Sequence, residues 1–193
     1  MTYHFVNLVS WRFFLNKQSF GRVINLDSVS IHFLSKLFGY NLGKLSGVTF
    51  YNSSDFHDSS TLYMSAKEMG FKNEIILPFW KSLDEVNIGF LEDEIYSFKK
   101  VVLGVSSPKQ DKLAELLMDS RKFSDDVEIY CLGAAIYLEK SHIAESRSVH
   151  WLSFLLSDPL RTVYKLRMTV VELIKILFLK KDREKFKLFL DLI

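Results

Sequence analysis

The stretch Val101 to Leu117 constrains the fold more than any other. Val101, Val102 and Leu103 form an apolar run rich in β-branched side chains, which suits a strand buried on both faces of a parallel sheet. Gly104, Ser106 and Ser107 break the run. Leu113, Leu116 and Leu117 then recur at helical spacing. Strand, tight turn and helix follow one another within seventeen residues. This unit predicts an α/β fold in which the helix begins at the carboxyl end of the strand. Open α/β sheets place ligands there, and helix N-termini attract anions.

Two roles are open to the turn. Ser107 as cap, Pro108 as first helical residue and Gln110 three residues after Ser107 make a capping box. The same backbone N–H groups suit a phosphate or nucleotide. Local chemistry alone does not separate a plain helix start from a ligand site.

The rest of the chain repeats the α/β pattern. Strands are expected near Tyr3–Leu8, at Arg22–Asp27, at Val48–Tyr51, at Glu74–Pro78 and from Val127 into the small-residue turn Gly133-Ala134-Ala135. Helices are expected over Ile31–Phe38 with Gly39 as stop, over Leu62–Gly70 and over Leu91–Phe98. Asp27 falls where a strand ends and a helix starts, as a cap or as a reactive carboxylate. From Arg161 onward the chain is basic and amphipathic, with Val170, Leu173, Ile174 and Leu177 on one apolar face. That face suits an anionic membrane surface, the body of the domain, or a second copy of the chain.

Composition excludes several classes. A net charge of +2 argues against a general nucleic-acid binder. The single cysteine, Cys131, allows no internal disulfide and reads as a core residue in a reducing compartment. No run reaches the roughly 18 apolar residues that span a bilayer. The first residues lack the basic flank of a signal peptide. The five histidines show no paired ligand spacing, and no Asp-x-Asp pattern is present, so neither metal nor cofactor is implied. Glu92-Asp93-Glu94 reads as a solvated face.

Gly104-Val105-Ser106-Ser107-Pro108-Lys109-Gln110-Asp111 resembles the Gly-x-Gly-Ser/Ala-Pro-Lys-Gln-Glu stretch of the WecB/TagA/CpsF-type glycosyltransferases, the teichoic-acid N-acetylmannosaminyltransferase family. Three further patches follow in the same order. Asp27 with the helix ending Leu37-Phe38-Gly39 is similar to the family's Asp-Gly-Met/Val segment and Leu-Leu-Gly stop. Val127 to Ile136 is similar to its Val-Gly-x-Gly-Gly/Ala-Ala-Phe-Asp, with Tyr137 in place of the Asp. Trp151, Leu155, Pro159 and Arg161 match its Glu-Trp-x-x-Arg-Leu-x-x-Glu-Pro-x-Arg. Ser28, Lys44 and Phe154 replace the family's Gly, Arg and Arg, and the middle of the chain is shorter.

The resemblance implies a Rossmann-like, largely parallel sheet flanked by helices over residues 1–144. It also implies a basic, amphipathic, helical C-terminal appendage over 145–193. It implies inverting, metal-independent transfer of an N-acetylmannosaminyl-like hexosyl group from a UDP-sugar to an undecaprenyl-diphosphate-linked acceptor. The setting would be the bacterial cytoplasm, peripheral on the inner face of the cell membrane, in capsule, exopolysaccharide or other envelope polysaccharide assembly. Asp27 would be the catalytic base. Asn7, Lys44, Ser107, Pro108, Lys109, Gln110, Gly133, Ala134, Arg147, Arg161 and Arg167 would bind substrate. The substitutions also fit a non-catalytic relative that binds a nucleotide sugar or serves as an assembly subunit.

Overall fold

The computed structural model describes residues 1–15, 22–43, 45, 47–133, 135–138 and 159–193; of Val29, Leu138 and Arg161 it describes the backbone only. Six strands form one sheet: β1 (Thr2–Val6), β2 (Arg22–Leu26), β3 (Thr61–Ser65), β4 (Glu74–Ile76), β5 (Lys100–Gly104) and β6 (Glu128–Cys131). Their order is β2-β1-β6-β5-β3-β4, and every neighbouring pair is parallel. The helices are α1 (Val29–Leu37), α2 (Gly47–Ser53), α3 (Lys109–Asp119), α4 (Ala135–Leu138), α5 (Pro159–Phe178) and α6 (Lys180–Asp191). Two 3₁₀ turns, Trp11–Phe14 and Asp93–Ser97, complete the described elements. The arrangement is an α/β Rossmann-like sheet flanked by helices, as the Val101–Leu117 unit predicts.

Alternation along the strands divides the core. Val101, Leu103, Ile129 and Cys131 face α3 and meet its Leu113 and Leu117. Phe5, Val102 and Tyr130 face the other way and meet Tyr51 of α2 and Ile136 of α4. A third cluster joins Val6 and Leu26 to Trp11 and Phe14, with Ile176 of α5 and Phe186, Phe189 and Leu190 of α6. The C-terminal hairpin therefore buries one face against the start of the chain. The Trp11 ring meets Phe186 edge-on at 5.1 Å. Arg12 fastens both helices, pairing with Glu172 at 2.8 Å and Asp182 at 2.7 Å.

Two expected elements exchange type. Val48–Tyr51 lies within α2 and not in a strand. Its Gly47 N–H donates to Asp27 Oδ1 at 2.9 Å, which anchors the first turn, and Tyr51 packs on the sheet. Leu62–Gly70 is not a helix: Thr61–Ser65 is β3, with all five residues buried. A strand covered on both faces shows no alternation to read. Leu91–Phe98 contains the shorter 3₁₀ turn Asp93–Ser97, with Glu92, Asp93 and Glu94 exposed.

Candidate functional site

The carboxyl edge of the sheet gathers several of the expected residues. Asp27 follows β2, Asn7 follows β1, Gly133 lies just past β6, and Ser106 and Ser107 follow β5. These four strands are consecutive in the sheet, spaced about 4.8 Å apart. β5 leads to α3 on one face, whereas β6 leads to α4 on the other. Strand exits that part to opposite faces mark the usual ligand position in such sheets.

Asp27 is half-buried. Its N–H donates to Val6 O at 2.9 Å, which holds it beside the end of β1. Ser28, not Asp27, caps α1, accepting from Ile31 N–H at 3.3 Å. Asp27 instead receives the Gly47 N–H, so its carboxylate ties α2 to β2. Asn7 is turned toward its own backbone: Oδ1 accepts from Val9 N–H at 2.9 Å and its carbonyl accepts from Ser10 and Trp11 N–H. This Asx-type turn shapes the 3₁₀ turn that carries Trp11 and Arg12.

The Ser107–Gln110 turn departs from the capping box. Pro108 takes the cap position, α3 starts at Lys109, and no side chain caps it. Ser107 Oγ donates to the Asp111 carboxylate. Gln110 is buried and its Nε2 donates to Cys131 O at 2.9 Å. Lys109 Nζ donates to Trp80 O and lies 5.6 Å from the Phe79 ring. The side chains that sequence reasoning aims at a ligand thus fasten the turn to β6 and to the loop after β4.

Gly133 adopts φ +58°, and a Cβ there would stand 3.2 Å from Gln110 Oε1 and 3.3 Å from Val105 O. The positive φ favours glycine at this crossing, and the space left for a Cβ is tight. Tyr137 spans the neighbouring strand ends: its hydroxyl donates to Gly104 O at 2.7 Å and accepts from Ala66 N–H at 3.0 Å. Arg167 is exposed on α5, five residues or about 7.5 Å along the axis from the Glu172 that pairs with Arg12. Lys44, Ala134, Arg147 and the Arg161 side chain lie outside the described residues, as do Trp151, Phe154 and Leu155.

A grouping that sequence reading missed lies beneath this edge. His4 Nδ1 is 2.7 Å from Asp111 Oδ1, and Cys131 lies beside both. Burial, reinforced by the Asp111 carboxylate, pushes the Cys131 thiol well above its ordinary pKa. Only the strand order brings His4 next to Cys131, so residue spacing gives no sign of it. A cavity of about 520 Å³ lies elsewhere, between β4 and the second 3₁₀ turn, with Leu62, Glu74, Ile75, Phe90 and Ile95 in its wall. It sits toward the amino ends of β3 and β4, away from the carboxyl edge of the sheet.

No protein family, curated protein or solved structure matches the chain.

Proposed function

We propose that the chain is a glycosyltransferase of envelope polysaccharide assembly. It moves a hexosyl group from a UDP-sugar to a sugar on an undecaprenyl-diphosphate lipid, with inversion. The supporting observation is the position of Asp27, a half-buried carboxylate at the carboxyl edge beside the end of β1, fixed by the Gly47 N–H. In this reading the Asp27 carboxylate takes the proton of the acceptor hydroxyl as that oxygen attacks the anomeric carbon. The bond from that carbon to the diphosphate breaks, and UDP leaves with the electron pair. Cationic side chains such as Lys44 and Arg167 offset the developing charge. Ser107, Lys109 and Gln110 support the turn that faces the donor.

The exposed side of α5 carries Leu160, Tyr164, Leu166, Ile174 and Phe178 beside Lys165 and Arg167. Such a face suits peripheral attachment to an anionic membrane, where a lipid acceptor resides. Among the described residues no helix is long and apolar enough to cross a membrane.

One set of observations favours the non-catalytic alternative, a nucleotide-sugar-binding or assembly subunit. Ser107, Lys109 and Gln110 all bond to the protein itself, and Tyr137 bridges the ends of β5 and β3. Calorimetric titration of the full chain with UDP and UDP-sugars, followed by transfer assays on polyprenyl-diphosphate acceptors, separates the two. The enzyme reading expects binding and transfer, with Asp27→Asn cutting transfer by about 10²–10⁴-fold while UDP still binds. Binding without transfer in membranes and acceptor supports the alternative. A folded chain that binds no uridine nucleotide overturns the enzyme reading and favours the assembly subunit.

A further inference from the structure

We propose that His4, Asp111 and Cys131 form a buried site for a thiophilic divalent cation, with zinc the natural occupant. The three come from different elements. Parallel register sets His4 of β1 directly opposite Cys131 of β6. Asp111, in the first turn of α3, reaches them from the helix that covers this face. One ligand atom from each residue lies within 4.8 Å of the other two. All three residues are at most 1% exposed.

The donor set is chemically specific. Imidazole nitrogen, carboxylate oxygen and thiolate sulfur are the atoms zinc takes at about 2.0–2.3 Å, and tetrahedral donors at that range stand about 3.5 Å apart. The three atoms close around such an ion with side-chain shifts of about an ångström. A dication with one thiolate, one carboxylate and a neutral imidazole carries no net charge, which a fully buried site requires. Loading releases the thiol proton to solvent. Ser107 Oγ already donates to the other Asp111 oxygen and so orients the carboxylate from outside the set.

His4 Nδ1, the nitrogen that meets Asp111 Oδ1, is the ring atom that faces the set, and in the loaded site it would bind the cation while its bond to Asp111 opens. His4 Nε2, buried on the opposite edge of the ring without a hydrogen-bond partner, lies outside the set. The occupant would join α3 to β1 and β6 and so fix the turn Ser106–Lys109. The site is independent of any sugar transfer.

The test uses the full chain, stripped with chelator and titrated with Zn²⁺ or Co²⁺. The expected result is one equivalent per chain, a higher thermal midpoint, and a sulfur-to-cobalt charge-transfer band in the near ultraviolet. Cys131→Ser and His4→Gln should each weaken binding by more than the ~10–100-fold typical of an outer-shell loss. If those variants fail to fold, X-ray absorption of the zinc-loaded wild-type chain replaces them, with a sulfur scatterer expected near ~2.3 Å. Unfolding on stripping that zinc reverses also supports the site. A folded, stripped chain that takes up no stoichiometric metal overturns it. So does uptake without the thiolate band or sulfur scatterer, or unfolding that zinc does not reverse.

Discussion

Glu74 shows how a single side chain organises this edge of the molecule. Its carboxylate accepts Ser65 Oγ and the N–H groups of Met69, Gly70 and Phe71, closing the loop between β3 and β4. Burial alone would raise its pKa, but the Ser65 hydroxyl and the three N–H donors outweigh it and hold the group below its ordinary value. A depressed carboxyl pKa adds stability above the unfolded value, and that stability is lost as pH falls through the folded one. Glu74→Gln should therefore cost about 1–3 kcal/mol at neutral pH, with the gap to wild type narrowing in acid; urea unfolding at pH 7 and pH 3.5 checks this. Gly104 illustrates space at the same scale. A Cβ there would lie 2.1 Å from Ile136 Cδ1 and 3.1 Å from its Cγ1. Gly104→Ala should lower stability by about 1–3 kcal/mol through displacement of the buried Ile136, read from the thermal midpoint.

The elements show which signals a sequence carries. β5 and α3 were legible because a β-branched run, a break and a leucine period occur in succession. The exchange of α2 for a strand has a physical cause. Val48, Thr49, Phe50 and Tyr51 favour a strand by residue type, yet the Asp27 carboxylate holds the first N–H of a helix there. That contact spans twenty residues and leaves no local trace. β3 carries no alternation because it is buried on both faces, so its residues give no strand period to read. Within the site, Asp27 and Gly133 were legible as strand-end residues. The inward roles of Lys109 and Gln110 were not, because a long polar side chain looks the same whether it meets a ligand or a carbonyl. The 3₁₀ turn after β1 left only a density of aromatics as its sign. Trp11 is fully buried against α6, so Trp11→Ala should cost about 3–5 kcal/mol, measured by chemical denaturation.

For the whole molecule, the C-terminal hairpin has two distinct faces. Ile176, Phe186 and Phe189 complete a core cluster, while Leu160, Tyr164 and Phe178 stay exposed. The outer face gives a prediction about surfaces: the full chain should sediment with vesicles rich in anionic lipid, release as salt rises, and ignore neutral vesicles. Replacing the exposed Arg167 with glutamine should weaken that binding and leave the thermal midpoint unchanged. Flotation assays at two salt concentrations would show it.

The inner face has a consequence for how the protein is made. Trp11 and Phe14 leave the ribosome about 175 residues ahead of Phe186 and Phe189, which bury them. At about 5–20 residues per second, Trp11 waits roughly 10–35 s for its partners. Central strand β1 likewise waits for β6 before its second edge is paired. During synthesis the nascent chain therefore shows an aromatic surface and an open sheet edge together. Its passage to the native state falls in the interval when a holdase chaperone has most to bind.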